Sequence, residues 1–180
     1  MGGFRHFIEG DRVYLREVRP TDVNENYYRW MNNPEVTQFL ESRFQPNSLE
    51  KLREYVDQKL ADPDNLFLAI VSKKGDRHIG NVKLGPISWA HRTAEIGILV
   101  GEKDCWGKGY ATEVIRLVSE FAFRTLNLEK LTAGCYKGNQ GSVKAFLKAG
   151  FSQEGVRKSQ FFSEGNRVDN ILLGLVRKTN

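Results

Sequence analysis

One segment constrains the fold of this chain more than any other: residues 98–113, Ile-Leu-Val-Gly-Glu-Lys-Asp-Cys-Trp-Gly-Lys-Gly-Tyr-Ala-Thr-Glu. It indicates an apolar strand, a loop with Gly107 and Gly109 on either side of Lys108, and the start of a helix. Such a loop directs several backbone N–H groups and the positive end of the helix dipole toward one point. Glycine is needed there because a side chain would block close approach and disfavour positive φ. The segment therefore predicts a pyrophosphate-containing ligand held mainly by main-chain amides.

Length and charge narrow the class of protein. The 180 residues suit a single domain, 1–180, with a full hydrophobic core. The net charge of +5 suits an anionic small molecule, a nucleic acid or a membrane surface. Because the basic residues are scattered, a nucleic-acid partner is not favoured. No apolar stretch approaches the ~20 residues of a membrane span, so no membrane partner is expected.

The cysteines give a further expectation about chemistry and compartment. Cys105 and Cys135 form no metal-spaced pair, and two thiols do not make a disulfide framework. No secretory segment follows Met1. We therefore expect a cytoplasmic protein without a metal cofactor.

Hydrophobic periodicity and turn signals give the order of elements: strand, two helices, three strands, helix, strand, helix, two strands. This order predicts an α/β domain around a mostly antiparallel sheet. The first helix is expected to be capped at 20–22 and to stop at 32–34, and the second to start at Asn47, with Glu50 three residues on. The remaining elements are predicted as strands at 13–15, 66–72, 78–84, 93–100 and 130–136, helices from 111 and over 141–149, and two strands around the turn 164–166.

Two motifs resemble a known family. Residues 106–113, Trp-Gly-Lys-Gly-Tyr-Ala-Thr-Glu, resemble the acyl-CoA-binding motif of the GNAT superfamily of N-acetyltransferases. Residues 139–151 resemble the next element of that family, an asparagine followed by a helix that ends in Gly-Phe. The element order agrees over nearly the whole chain. The resemblance implies the GNAT fold, with a mixed, mostly antiparallel sheet flanked by helices. Its strands 93–100 and 130–136, the fourth and fifth, would splay around the pantetheine arm of acetyl-CoA.

The resemblance also implies which residues hold acetyl-CoA. The backbone of Ile98, Leu99 and Val100 would pair with the pantetheine amides. Asn139 would contact the pantetheine region, and Lys144 would reach a phosphate. Main-chain amides of the loop and first helical turn would hold the pyrophosphate: Trp106, Gly107, Lys108, Gly109, Tyr110, Ala111 and Thr112.

The pattern departs from the family at two positions. Asp104 stands where many members have Arg or Gln, and the Rim-type (ribosomal-protein-alanine acetyltransferase-like) branch often lacks that residue too. Phe146 stands where most members have a tyrosine that protonates the departing thiolate. The Rim-type resemblance implies Ser142 as the acid, with Tyr136 as a weaker substitute. The alternative for Ser142 is a helix cap near Gly141.

Amide formation from a thioester also needs a base, because an alkyl amine has a pKa near ~10. Glu95 is the predicted base, since it begins the strand that would carry the thioester and shares a face with Gly97 and Leu99. The alternative is a solvated carboxylate at the start of a strand. A strand N–H near Leu99 or Val100 is predicted to stabilise the oxyanion.

The acceptor is defined less sharply than the donor. In the GNAT fold the first two helices wall the acceptor site, so Tyr28, Trp30, Asn32 and Asn33 are candidate substrate contacts. The alternative for Trp30 is a place in the core.

Residues 28–37 also resemble enzymes that acetylate nucleotide-linked amino sugars, and a basic protein suits such an acceptor. A protein N-terminus and a polyamine are the competing acceptors, although Glu35, Glu41 and Glu50 are too dispersed to argue for a polyamine. Phe146 leaves open a non-catalytic acyl-CoA-binding module. Relatives are commonly dimers, so a homodimer is a further expectation.

Overall fold

The computed structural model describes residues 6–178, which form eight strands and five α-helices joined by short 3-10 turns. No helix among these residues is long and apolar enough to cross a membrane. The strands are β1 Ile8–Glu9, β2 Val13–Glu17, β3 Leu66–Ser72, β4 Arg77–Ser88, β5 Thr93–Val100, β6 Lys130–Tyr136, β7 Ser152–Ser163 and β8 Asn166–Val176. The helices are α1 Glu25–Met31, α2 Pro34–Thr37, α3 Leu49–Ala61, α4 Tyr110–Arg124 and α5 Gln140–Lys148.

All eight strands belong to one sheet in the order β1-β2-β3-β4-β5-β6-β8-β7. Every neighbouring pair is antiparallel except β5 with β6, which is parallel. A parallel neighbour needs a crossover connection, and α4 provides it. The predicted mixed, mostly antiparallel sheet flanked by helices is confirmed.

The two faces of the sheet are covered differently. On one face α4 and α5 pack against the centre of the sheet through Val114, Ile115, Val118 and Phe146, in the larger core cluster. On the other face α1 and α3 cover β2 and β3, and Trp30 of α1 also contacts His78 of β4. The apolar cluster beneath α1 and α3 ends at Leu99, so β5, β6 and β8 are less covered on that face. This difference positions the site described below.

Most predicted elements are present, with corrections at the helix ends. The strands 66–72, 93–100 and 130–136 have the predicted bounds. Residues 20–22 form a separate 3-10 turn, and Asn24 caps α1 by accepting from two backbone N–H groups. Ser48, not Asn47, caps α3, because the Asn47 side chain donates to backbone carbonyls of the preceding loop. The short elements β1 and α2 were not predicted, since two and four residues carry no periodicity.

Candidate active site

The pairing of β5 with β6 stops after three residue pairs, of which the last joins Glu95 to Thr132. Beyond it, Ile98–Val100 pairs with β4 and Gly134–Tyr136 pairs with β8, so the facing edges of β5 and β6 separate. The predicted splay is therefore present. A cavity of about 590 Å³ lies there, between the end of β5, the loop before α4, the start of α5 and residues 35–40. We call it the donor cavity.

The predicted acetyl-CoA contacts converge on the donor cavity, with one exception. The side chain of Lys108 is not part of the lining, although its neighbours on both sides are. The lining residues that sequence reasoning identified are Ile98, Leu99, Val100, Trp106, Gly107, Gly109, Tyr110, Ala111, Thr112, Asn139, Ser142 and Lys144.

The loop before α4 has the backbone geometry that the glycines predict. Gly107 and Gly109 have φ of 72° and 83°, a region that favours glycine. Gly109 is the N-cap of α4, and the first intrahelical bond runs from Glu113 N to its carbonyl. The N–H groups of residues 110–112 therefore precede the helical ladder. A Cβ added at Gly107 would meet no heavy atom within 4 Å, so the loop is open to a ligand. This cradle fits a pyrophosphate.

The sequence analysis did not predict the side-chain contacts that support this loop from behind. Arg12, at the start of β2, donates from Nη1 to the carbonyl of Lys108 at 2.6 Å and from Nε to Glu113 Oε2 at 2.8 Å. Glu113 also accepts from the backbone N–H groups of Arg12 and Val13. Burial raises the pKa of Glu113 and these donors lower it, with a net lowering. The loop is thereby fixed to the sheet, through a residue about a hundred positions away.

Two polar contacts determine which groups the end of β5 and the following loop offer to a ligand. Trp106 Nε1 donates to the carbonyl of Val100 at 2.8 Å, which leaves that carbonyl its second lone pair for a ligand. Asp104 accepts from Arg77 Nη2 at 2.7 Å, and Arg77 also donates toward Cys105 Sγ. Asp104 is thus used in a pair with a strand arginine, and a carboxylate there adds nothing to phosphate binding.

At the start of α5, Asn139 is the cap and Ser142 is not. Asn139 Oδ1 accepts from Ser142 N at 3.1 Å. The Ser142 hydroxyl lies 3.3 Å from the thiol of Cys135, and either group can be the donor. Burial raises the pKa of Cys135, which keeps it a neutral partner. The alternative of a Ser142 cap is wrong, and its hydroxyl faces the donor cavity beside a thiol.

Positive charge lines one wall of the donor cavity. Lys144 and Lys148, one turn apart on α5, both line it, and among residues 6–178 neither forms an ion pair. Lys148 could have been found from its i,i+4 spacing to Lys144. Residues 35–40 had no such signal, and Glu35 among them pairs with Lys103 at 2.6 Å. The described residues hold no group of three His, Cys, Asp or Glu side chains suited to a metal.

Glu95 lies on the sheet face opposite α4, together with Gly97 and Thr132, which we call the Glu95 face. It is exposed and outside the donor cavity lining, at the point where β5 and β6 part. A Cβ on Gly97 would find no heavy atom within 4 Å, so the surface beyond Glu95 is open. Lys83 of β4 pairs in register with Gly97 and shares this face. Within the described chain Glu95 has no salt-bridge partner.

Phe146, which replaces the usual tyrosine, and Tyr136, the weaker substitute for Ser142 as the acid, are both engaged elsewhere. Phe146 is fully buried and packs edge-on against Phe151 at 5.0 Å. Tyr136 donates to Glu41 Oε1 at 2.6 Å and stacks on Phe161 at 4.0 Å. Burial, followed by the Glu41 hydrogen bond, raises the pKa of Tyr136. Neither lines the donor cavity, whereas Ser142, the predicted acid, does.

Of the four candidate acceptor contacts, Trp30 has the place in the core that the sequence analysis gave as its alternative. It is 1% exposed, donates to Glu102 at 2.8 Å and packs so tightly on Gly101 that a Cβ there would lie 2.1 Å from its ring. It therefore supports the end of β5 from below.

The other three predicted contacts lie on or beside α1. Asn32 exchanges hydrogen bonds with Asn47, and Asn33 caps α2. Tyr28 is 39% exposed and does not line the donor cavity.

The fold and the donor cavity are those of an acyl-CoA-dependent transferase, a class of enzyme in which the acyl donor lies between two splayed strands of the sheet. Residues 12–152 match the family model described as "Acetyltransferase (GNAT) domain". The chain therefore belongs to the GNAT family, and it is an N-acetyltransferase that uses acetyl-CoA and an amine.

Named relatives agree with this membership. The chain is 31% identical over 176 residues to the probable N-acetyltransferase YjcK of Bacillus subtilis, covering 94% of this chain and 96% of the relative. It is 30% identical over 155 residues to spermidine N(1)-acetyltransferase of Escherichia coli K12, covering 86% and 76%. The fold is also that of spermidine N-acetyltransferase from Vibrio cholerae, solved with CoA and spermine, with a TM-score of 0.81, 24% identity and coverage of 92% and 95%.

Proposed function

We propose that this enzyme acetylates a primary amine that approaches from the Glu95 face, by direct transfer from acetyl-CoA held in the donor cavity. The observation that carries the proposal is the early end of the β5–β6 ladder. It leaves Glu95 at the point of separation, with the donor cavity directly beyond it along β5. A reactant on the open face therefore meets the donor without crossing the core.

Glu95 and Ser142 divide the proton transfers. The Glu95 carboxylate accepts one proton from the incoming ammonium, directly or through water, and the neutral amine nitrogen then bonds to the acetyl carbon to give a tetrahedral intermediate. The nitrogen loses its second proton to solvent before that intermediate collapses. The C–S bond breaks, and the departing thiolate takes a proton passed on by the Ser142 hydroxyl. Because a serine hydroxyl is a weaker acid than a thiol, Ser142 must draw that proton from solvent while it donates. An N–H of Leu99 or Val100 stabilises the oxyanion.

For the acceptor we propose a nucleotide-linked amino sugar. The carboxylates around the Glu95 face support a monoamine, since Glu35 pairs with Lys103, Glu154 pairs with Lys130 and Glu41 accepts from Tyr136. This leaves Glu95 for one ammonium group. A polyamine carries several positive charges and needs several carboxylates without partners. The net charge of +5 suits an acceptor that bears a pyrophosphate.

A polyamine is the second candidate, because a spermidine N(1)-acetyltransferase is 30% identical to this chain. The Rim-type resemblance adds a third acceptor, a protein N-terminus.

The test is thiol release from acetyl-CoA with four acceptors: a nucleotide-linked amino sugar, the same sugar without the nucleotide, spermidine, and a peptide with a free N-terminus. We expect the highest kcat/KM with the nucleotide-linked sugar. A higher value with spermidine or the peptide would overturn the acceptor proposal while leaving the donor site intact. Tight CoA binding without turnover of any amine would favour a binding module instead.

A further inference from the structure

Lys83 on β4 is a half-buried charged side chain without a partner. Among residues 6–178 it forms no ion pair and its side chain donates no hydrogen bond. A partly buried ammonium group loses hydration, so lysines in such positions are usually paired. Four other lysines of the chain have a carboxylate partner: Lys73, Lys103, Lys130 and Lys137. The free charge of Lys83 therefore requires an explanation.

The sheet register places Lys83 diagonally across from Glu95. Lys83 pairs with Gly97 of β5, and Glu95 lies two residues from Gly97 on the same strand, so all three belong to the Glu95 face. Diagonal neighbours on adjacent strands lie about 7–8 Å apart, which is within the reach of long side chains. The two charged groups nevertheless form no ion pair with each other. They are thus close neighbours that both stay free.

The space between these two charges is open. A Cβ on Gly97 would meet no heavy atom within 4 Å, and both Gly97 and Glu95 are exposed. On its other side Lys83 pairs with Phe67, which is buried beneath α3 in ring contact with Tyr55. The Lys83 ammonium group therefore reaches solvent on the Gly97 side, where it borders the same open space as the Glu95 carboxylate.

We propose that Lys83 selects acceptors that carry an anionic group close to the reacting amine, with the amine at Glu95 and the anion at Lys83. This inference rests on the proposed function, because it requires the acceptor to approach from the Glu95 face. It adds a requirement on charge. A sugar phosphate meets this requirement, whereas a polyamine carries only positive charges and is repelled by Lys83.

The test uses two probes that differ by one phosphate, 2-amino-2-deoxyglucose 1-phosphate and 2-amino-2-deoxyglucose. The enzyme should prefer the phosphorylated sugar, and less so at high salt, because salt screens charges in an exposed site. For Lys83→Gln we expect kcat/KM for the phosphorylated sugar to fall about 10-fold, mainly through KM, with the unphosphorylated sugar unchanged. Lys83→Arg keeps the charge and should retain most of the preference. The matched control is Lys74→Gln, which removes the same charge from an exposed lysine in the remote β3–β4 turn and should change neither sugar.

Reversal of the charge gives opposite expectations for two kinds of acceptor. In Lys83→Glu, kcat/KM should fall about 100-fold for the phosphorylated sugar and rise about 10-fold for spermidine, because a second carboxylate beside Glu95 attracts a polycation. A gain with spermidine cannot result from loss of folding. Equal losses with both sugars would show that Lys83 only supports Glu95, and this would overturn the inference. An unchanged rate with spermidine, or no preference of the unmodified enzyme for the phosphorylated sugar, would also overturn it.

The results also separate this inference from the proposed function. If the nucleotide-linked sugar is the best acceptor and Lys83→Gln leaves its kcat/KM unchanged, the proposed function stands and the role of Lys83 fails. If the sugar phosphate exceeds both the free and the nucleotide-linked sugar, and loses that advantage in Lys83→Gln, the role of Lys83 stands. The nucleotide part of the proposed function then fails.

Discussion

The donor cavity and the Glu95 face border the same strand, but the chain builds them by different means. The donor cavity is expected to bind mainly through main-chain groups, with Gly107 and Gly109 setting the backbone, and its residues lie within four short segments. The Glu95 face is made of side chains from separate strands, among them Lys83, Glu95 and Thr132. Backbone recognition depends on conformation, and side-chain recognition depends on register.

This difference determines which property of the enzyme can change by substitutions in each of the two regions. A side chain on the Glu95 face can be replaced without altering the backbone, so the acceptor can vary while the fold is kept. The phosphate loop has no such freedom, because its predicted binding groups are the peptide units themselves. Variants of the donor cavity should therefore bind acetyl-CoA less tightly. Variants of the Glu95 face should instead change turnover or the choice of acceptor.

The largest effect is expected for Glu95→Gln. Loss of the base should lower kcat by about 1,000-fold, within the usual range for general acid–base catalysis. Affinity for acetyl-CoA should stay unchanged, and the pH–rate profile should lose its acidic limb. Glu120→Gln is the control, because Glu120 lies on α4, on the opposite side of the sheet from Glu95, and pairs with Arg124. An unchanged kcat across pH for Glu95→Gln would remove the residue from the mechanism.

Gly109→Trp should impair the donor cavity and not the Glu95 face. A non-glycine residue at φ 83° is strained, and its side chain would press on the Arg12 guanidinium that braces the loop from behind, so the phosphate cradle would be distorted. Calorimetric titration should show acetyl-CoA affinity reduced by about 100-fold or more, equivalent to ~2.7 kcal/mol. Gly75→Trp matches the strain, at φ 77°, in the remote β3–β4 turn. Equal weakening by both variants would mean that global destabilisation, not the cradle, is measured.

Ser142→Ala tests a residue that belongs to both the donor site and the reaction. Ser142 lines the donor cavity, and it is proposed to protonate the thiolate that leaves. We expect kcat to fall about 10-fold, because solvent can replace part of the proton supply. Binding of acetyl-CoA should be nearly unchanged. Cys135→Ala, which removes the neighbouring thiol 3.3 Å away, should reduce kcat less. A normal kcat for Ser142→Ala rules out its role as the acid.

The smallest effect concerns stability beneath the acceptor-side helices. His78 is largely buried, with Nε2 2.9 Å from both Gly80 O and Asn81 Oδ1. Burial lowers the pKa of His78 below its usual 6.5. The unfolded chain then binds the proton more readily, so the free energy of unfolding should decrease as the pH falls below about 6.5. Thermal melts between pH 7 and 5 measure this. His78→Gln should flatten the dependence, and an equally steep profile would contradict it.

The phosphate loop and the splay could be predicted because their determinants are local or motif-like. Gly107, Gly109 and the periodic face of α4 lie within one segment, and the strand bounds of β5 and β6 follow from short apolar runs. Arg12 could not be predicted, since its partners Lys108 and Glu113 lie about a hundred residues away. No spacing rule links such positions.

The acceptor side was predicted least well, for the same reason. Trp30 has the amphipathic character of a binding residue, and only its packing on Gly101 shows that it is core. Lys83 gives no local signal, because its position beside Glu95 depends on the register of β4 with β5. The domain span 1–180, the homodimer and the cytoplasmic location stay predictions.

The short β5–β6 ladder has a mechanical consequence. The strands β1–β5 and the strands β6–β8 meet along a seam of three residue pairs, and the seam then opens. We expect a cosubstrate lying in the opening to contact both edges and so to hold the two parts together. Amide hydrogen exchange at Ile98–Val100 and Gly134–Tyr136 should therefore slow on loading and quicken after release. Each catalytic cycle would then alternately stiffen and loosen the sheet.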